Sequence, residues 1–336
     1  MSRHNAATRI LGTGFYVPPK VVTNHDLAEM FDTSDEWIRQ RSGIVERHYA
    51  VDGDSGASLG AEAARAAVAD AGLELSDVDA IICATLSPDY SFPGTGVFMQ
   101  DMLGLNGIAC MDVRNQCTGL LYGLATADAW IRAGMYKTVL VVGTEIHSTG
   151  LEFADRGRDV TVLFGDGASA VVVGPTDDPD KGFLGHKLHA DGVGAKSLWI
   201  ENPACCNFPY RFEQRMVEDG TLYPTMNGRL VFKWACTKLP EVIGEVLQST
   251  GYTLDEVDLL VPHQANMRIN EMVGKVLKLP PAKVMHNIQK YGNTTAATIP
   301  MAMCAAREEG RLERGMKVMA VGFGSGFTWA ASLVRF

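Results

Sequence analysis

Short runs of consecutive apolar residues alternate along the chain with stretches whose apolar positions recur every three or four residues. The runs VDAIICAT, KTVLVVG, SAVVVG, VDLLVPH and KVMAVGFG are rich in Val and Ile, and their lengths predict strands buried on both faces. GAEAARAAVADAG and PEVIGEVLQSTG carry the helical period and predict helices between them. Leu120, Leu124, Ala127 and Ile131 continue that period and predict a buried helix starting near Cys117 and ending near Gly134. Such alternation, with no linker or low-complexity stretch, gives an α/β fold with largely buried sheets. Two local signals complete the pattern. FGDGASA, around Gly165 to Ala170, predicts a tight turn between strands, and Thr33 with Glu36 predicts a capping box that starts the helix carrying Trp37.

The pattern also repeats. ADAGLELSDVDAIICAT matches LQSTGYTLDEVDLLVPH with Gly72 against Gly251, and TVLVVG matches KVMAVG with Gly143 against Gly322, both at an offset of 179. One constant offset through helix, loop and strand points to duplication. Two related α/β halves are expected, 1–175 and 176–336, with any active site between them. The offset sets Cys117 against the segment YGNTTAATIP, and it places His263 at the end of the strand that corresponds to IICAT.

Composition narrows the function classes. A chain of 336 residues, 46% of them hydrophobic, can bury a large core. Its apolar runs fall well short of the ~20 residues that span a bilayer. The polar start MSRHNAATRI lacks a signal peptide's apolar region, so no membrane association and a cytoplasmic location are expected. The seven cysteines (83, 110, 117, 205, 206, 236 and 304) form no C-x-x-C pair, which argues against a disulfide framework and a thiolate metal site. A net charge of −9 without a Lys/Arg run argues against nucleic-acid binding. An acidic partner would need a local basic patch.

Against this background VRNQCTGLLYGL stands out, because it puts a thiol where a strand becomes a helix. The helix N-terminus should lower the pKa of Cys117 and favour the nucleophilic thiolate. Alone, His263 in VPHQAN is an ordinary polar strand end and Asn293 in YGNTTAA an ordinary helix cap. Together, at strand-to-helix junctions of duplicated halves, a Cys nucleophile and two hydrogen-bond donors suit acyl-thioester chemistry. The loop GFGSGF, Gly322 to Phe327, lets backbone approach a ligand closely, and its N–H groups could hold an oxyanion. No helix with an acidic residue about 20 positions on follows it, so a dinucleotide site is excluded.

DTSDEWIRQRSGI, DRG followed by LFGDGA, VPHQANMRI, YGNTTAA and GFTWAASLVRF, in this order from about residue 9 to the C-terminus, resemble the β-ketoacyl-acyl-carrier-protein synthase III family of thiolase-fold condensing enzymes. The resemblance implies a thiolase fold, two duplicated α/β halves in a five-layered αβαβα arrangement. It implies that Cys117 takes an acyl group from coenzyme A and that His263 and Asn293 bind the malonyl thioester carbonyl as carbon dioxide leaves. The backbone N–H groups of Cys117 and Ser325 would hold the tetrahedral oxyanion; the family usually has Gly where Ser325 stands. Trp37 and Arg156 match the residues that sandwich the adenine of coenzyme A, Arg41 a further contact to it, and Asn266 a polar residue that orders the active-site water and the histidine. Arg268 and Lys275 match a face that docks the acidic acyl carrier protein, with Glu271 lying between them. Phe92 in YSFPG matches a residue passed across a homodimer interface to line the partner's acyl pocket. Acyl-CoA and malonyl thioesters are then substrates, and no metal or other cofactor is implied.

Two regions depart from the housekeeping pattern: NQCTGLLYGL at the nucleophile and the long segment from about Gly192 to Asn227, with vicinal Cys205 and Cys206. Both are similar to secondary-metabolic branches, including the alkylquinolone type. The expected activity is therefore decarboxylative Claisen condensation that initiates fatty-acid or related acyl-chain synthesis. The alternatives are acyl transfer to another acceptor on the same scaffold and a non-catalytic partner subunit. Retained Asn293 favours condensation over transfer, and an intact Cys117, His263 and Asn293 set disfavours the non-catalytic subunit.

Overall fold

The apolar runs form two sheets in the computed structural model, which describes residues 7–178 and 180–336. In the first sheet the strand order is Ala7–Tyr16, Gly167–Thr176, Val139–Glu145, Ala80–Ala84, Ala109–Val113. Ala80–Ala84 runs parallel to both of its neighbours, whereas Gly167–Thr176 is antiparallel to both of its own. The second sheet has the order Leu259–Pro262, Lys317–Gly324, Thr328–Arg335, Gly182–Ala190. Its first pair is parallel and the other two pairs are antiparallel. At the offset of 179, Ala80–Ala84 falls on Leu259–Pro262 and Val139–Glu145 on Lys317–Gly324. The place of the fifth strand is held by a single parallel bridge between Leu260 and Val284.

Because side chains alternate along a strand, each sheet offers an apolar face on both sides. Between the sheets lie the helices Gly119–Arg132 and Thr298–Glu308, themselves related by the offset. Their Leu120, Leu124, Ile299 and Ala302 pack with Ile82 and Val141 of one sheet and Val261 and Val318 of the other in one cluster. Fully buried leucines such as Leu120 and Leu121 each contribute about 1.5–3 kcal/mol to that core. Helix Gly56–Asp70 covers the outer face of the first sheet against Ile81, Leu140 and Val172. A Cβ on Gly12 of the first strand would lie 2.3 Å from the Ala67 carbonyl oxygen, so this alanine-rich helix sits almost on the backbone beneath it. Helix Gly228–Thr250 covers the second sheet through Val242, Ile243 and Val246. The layers are therefore helix, sheet, helix pair, sheet, helix.

Several local expectations shift. Helix Gly228–Thr250 starts twelve residues before Pro240, capped by the Asn227 side chain on the Leu230 N–H. PEVIGEVLQSTG is thus only the C-terminal half of this helix. Helix Asp35–Ser42 is capped by Ser34, which accepts from the Trp37 N–H, rather than by Thr33 with Glu36. Gly165 and Asp166 join a bridge residue, Phe164, to the strand at Gly167, and the element before them is the helical turn Arg158–Thr161 rather than a strand. Buried Asp166 accepts N–H groups from Ala50, His147 and Ser148, which fixes that junction. Gly322 to Gly324 belong to the strand Lys317–Gly324, so only Ser325 to Phe327 form its turn. In the long segment, Leu198–Trp199 pairs antiparallel with Thr225–Met226, and the residues between loop outward with one helical turn, Arg215–Glu218. Among the described residues no helix is long and apolar enough to cross a membrane.

Candidate active site

Cys117 sits in the 3₁₀ turn Gln116–Thr118, which leads directly into the central helix Gly119–Arg132. Its counterpart region places Asn293 just before the 3₁₀ turn Thr295–Ala297 that opens helix Thr298–Glu308. Gln116 has φ 46° and Thr295 φ 48°, a left-handed backbone that residues other than glycine rarely adopt. These two residues are 179 apart, so both halves make the same sharp turn at the same place. His263 follows the strand Leu259–Pro262 and is tied to the neighbouring strand by its N–H, 2.7 Å from the Val321 carbonyl. Cys117, His263 and Asn293 are buried and line one cavity of about 550 Å³. Trp37 and the exposed Arg41, Arg229 and Arg268 also line it, so the cavity runs from a basic mouth to the thiol.

The thiol differs from its expected state. Burial pushes Cys117 up to about 12, and nearby Glu145 adds to the rise. The N–H groups of Ser325 and of Cys117 itself lower it, but desolvation outweighs them. In the free protein the thiol is therefore neutral at pH 7. Alkylation of Cys117 by iodoacetamide, followed by intact mass, is expected to accelerate about tenfold per pH unit from about pH 6.5 to about 9.5. A plateau near pH 7 would contradict this.

Glu145 is itself raised to about 7 by burial, against donors from the Leu86 and Ser87 N–H groups and the Thr85 and Ser87 hydroxyls. It thus fastens the start of the loop that carries Phe92.

His263 is held neutral, its pKa lowered to about 3 by burial. Its Nδ1 lies 2.6 Å from the Thr298 hydroxyl, and its buried Nε2 has no partner. Asn293 is clamped through its backbone: its N–H donates to the Leu163 carbonyl and its carbonyl accepts from the Gly165 N–H. Its Oδ1 accepts from the Thr295 N–H at 2.9 Å, which leaves Nδ2 as the free donor. A Cβ on Gly324 would come within 3.0 Å of the Cys117 Cβ, so glycine is what lets this strand end reach the thiol. The Ser325 hydroxyl donates to the Leu198 carbonyl and ties the turn to the long segment, a role glycine could not fill.

At the cavity mouth two of the expected ligand-binding side chains have other partners. Arg41 and Arg158 stack on Trp37, with guanidinium carbons 4.5 and 4.9 Å from the ring centroid. Arg156 is instead paired with Glu152 and donates to the Glu218 carbonyl beside a second cavity of about 260 Å³. Asn266 caps helix Met267–Val276 on the Arg268 N–H and donates to the Arg41 carbonyl; its hydrogen bonds do not go to His263, whose carbonyl accepts from Asn270. Arg268, Glu271 and Lys275 are exposed on that helix, and only Arg268 lines the main cavity. Arg158 and Arg229 are the residues that sequence reasoning missed. The signal for the first was a second arginine two positions on in DRGRD.

Phe92 is 84% exposed, and Tyr90, Phe208, Tyr210 and Phe212 are exposed as well. Arg211 reaches the Ser91 hydroxyl at 3.4 Å, which joins the long segment to the Phe92 loop. Cys205 and Cys206 are exposed on the same segment.

Comparison with known proteins shows the family and the fold. Residues 111–192 match the family model 3-oxoacyl-[acyl-carrier-protein] synthase III, and residues 247–336 match its C-terminal model. The β-ketoacyl-[acyl-carrier-protein] synthase III 1 of Bacillus anthracis is 43% identical over 97% of this chain and 98% of its own length. The corresponding protein of Neisseria gonorrhoeae is 43% identical over 98% and 99%. The crystal structure of 3-oxoacyl-[acyl-carrier-protein] synthase III from Aquifex aeolicus superposes with a TM-score of 0.89 at 40% identity, covering 98% of this chain and all of that one. The priming β-ketosynthase of the R1128 polyketide pathway superposes equally well, at 30% identity over 98% and 96%.

Proposed function

Because the chain belongs to the β-ketoacyl-acyl-carrier-protein synthase III family of thiolase-fold condensing enzymes, we propose that Cys117, His263 and Asn293 carry its acyltransferase chemistry. It is a β-ketoacyl-acyl-carrier-protein synthase III-type enzyme that initiates fatty-acid synthesis. The acyl-transfer alternative is not favoured: the relatives 43% identical over nearly the whole chain are named β-ketoacyl-[acyl-carrier-protein] synthase III. One observation carries the residue assignment. A neutral histidine with an unpaired Nε2 and an asparagine with a free amide share a cavity with a cysteine thiol.

In the first step the Cys117 sulfur, losing its proton, attacks the thioester carbonyl of an acyl-CoA. The tetrahedral oxyanion lies against the N–H groups of Cys117 and Ser325, and the coenzyme A thiolate leaves and takes up a proton. In the second step a malonyl thioester loses carbon dioxide, and the electron pair released forms an enolate. Its oxygen accepts from Asn293 Nδ2 and from His263 Nε2, whose proton requires that Thr298 donate to Nδ1. The enolate carbon attacks the acyl-cysteine carbonyl, and collapse of the adduct releases the β-ketoacyl thioester and Cys117.

Trp37 with Arg41 and Arg158 offers stacking planes for a purine, and Arg156 would have to leave Glu152 to join them. Arg229 and Arg268 at the mouth suit the phosphates of coenzyme A or of a carrier's pantetheine arm, with Lys275 further along the carrier-docking face. Exposed Phe92 supports a homodimer in which it lines the partner's pocket. The halves 1–175 and 176–336 act as two units facing one site in a cytoplasmic enzyme that takes coenzyme A thioesters as substrates and needs no metal.

The test is product analysis with a panel of acyl-CoAs and malonyl carrier protein. One carbon dioxide per β-ketoacyl product is expected. Ester or amide formation on an added alcohol or amine, without carbon dioxide, would overturn the reading.

A further inference from the structure

We propose that His147 is a positioning residue for Asn293 and acts on it through the Thr295 hydroxyl. This rests on the reading that the Asn293 amide donates to the enolate. Thr295 is β-branched yet has φ 48°, a conformation that persists only where its surroundings over-determine it. Three bonds do so. The Thr295 N–H donates to Asn293 Oδ1, its carbonyl accepts from the Thr298 N–H, and its own hydroxyl exchanges a hydrogen bond with His147 Nε2 at 2.7 Å. The first of these fixes the Asn293 amide with Nδ2 free for the cavity, so whatever holds Thr295 holds the donor.

His147 is well placed to be that holder. It lies 148 residues away in sequence, in the other half of the chain, and is only 8% exposed. Its N–H is fixed on buried Asp166 and its ring packs 4.5 Å from Phe164, whose backbone bridges Asn293 directly. Burial lowers its pKa to about 3, so it stays a neutral partner across the working range. Both contacts of His147 therefore end on the same asparagine, one through Thr295 and one through Phe164. The second-half turn that presents Asn293 is locked by a side chain from the first half.

The experiment separates the two half-reactions in His147→Phe, which keeps bulk without the hydrogen bond, Thr295→Val, an isostere without the hydroxyl, His147→Gln, and Asn293→Ala as reference. Acylation of Cys117 is read by intact mass, and malonyl decarboxylation by carbon dioxide release at saturating malonyl carrier protein. His147→Phe and Thr295→Val are each expected to lower the decarboxylation kcat about tenfold while KM and acylation stay within about twofold. The double variant should be no worse than either single one, and His147→Gln should recover most of the loss. Unchanged decarboxylation in both single variants, beside a large loss in Asn293→Ala, would overturn the proposal and leave the Asn293 assignment standing. Unchanged decarboxylation in Asn293→Ala would overturn both. An equal fall in acylation and decarboxylation, with a lowered Tm, would show His147 to be packing only.

Discussion

Cys117→Ala is expected to abolish acyl-enzyme formation and lower condensation by about ten-thousandfold or more, the scale on which losing a nucleophile acts. The fold should survive. The substitution removes one sulfur atom beside Gly324, in a site already close-packed by backbone from both halves, and a small change there shifts stability by about 1 kcal/mol. The carbon dioxide-releasing pair, His263 and Asn293, is untouched. The variant should therefore still decarboxylate malonyl carrier protein, uncoupled from product. Intact mass with an acyl-CoA, carbon dioxide release and thermal melting check the three statements. An acyl adduct elsewhere on the chain that turns over to product would contradict the assignment of the nucleophile.

The second large effect belongs to His263. His263→Ala is expected to lower decarboxylation about a hundredfold to a thousandfold, the usual loss when one donor to a developing oxyanion is removed. Since burial holds His263 near a pKa of about 3, its charge does not change in the working range. The ratio of wild-type to variant decarboxylation should therefore stay constant from about pH 5 to about 8, whereas a histidine titrating near its ordinary value would bend it. An inflection near 7 common to both proteins is consistent with Glu145, which burial holds at about 7 beside the thiol. A ratio that changes through pH 6.5 would contradict the neutral-donor role.

Much of the architecture is legible in the chain because each buried strand is a continuous apolar run, and because the offset of 179 ties the halves together before any contact is known. Cys117, His263 and Asn293 are legible for the same reason: they occupy matching junctions. What local sequence could not carry is desolvation. The turn that starts the helix does set the Cys117 N–H against its own sulfur, beside the Ser325 N–H from the other half, but the sign of the shift is set by how deeply the fold buries it. Long-range partners are the other gap. Arg156 and Arg158 differ because Glu152 and the Glu218 carbonyl, on the long segment, capture one and leave the other over Trp37. The helical period of PEVIGEVLQSTG marks only the second half of helix Gly228–Thr250, so Arg229 in its first turn lay outside the pattern. His147 carried no motif at all, since its partner Thr295 arrives only when the two halves meet.

The central claim is that one thiol accepts the starter and gives it up to a malonyl-derived enolate. The most direct test is intact-protein mass spectrometry of the wild type after incubation with an acyl-CoA, with peptide mapping of the adduct, and again after malonyl carrier protein is added. The account predicts a single acyl mass on Cys117 that disappears on addition, with β-ketoacyl product and carbon dioxide in equal amounts. An adduct on Cys117 that persists with malonyl carrier protein present, or product formed with no acyl-Cys117 at any time, would contradict it.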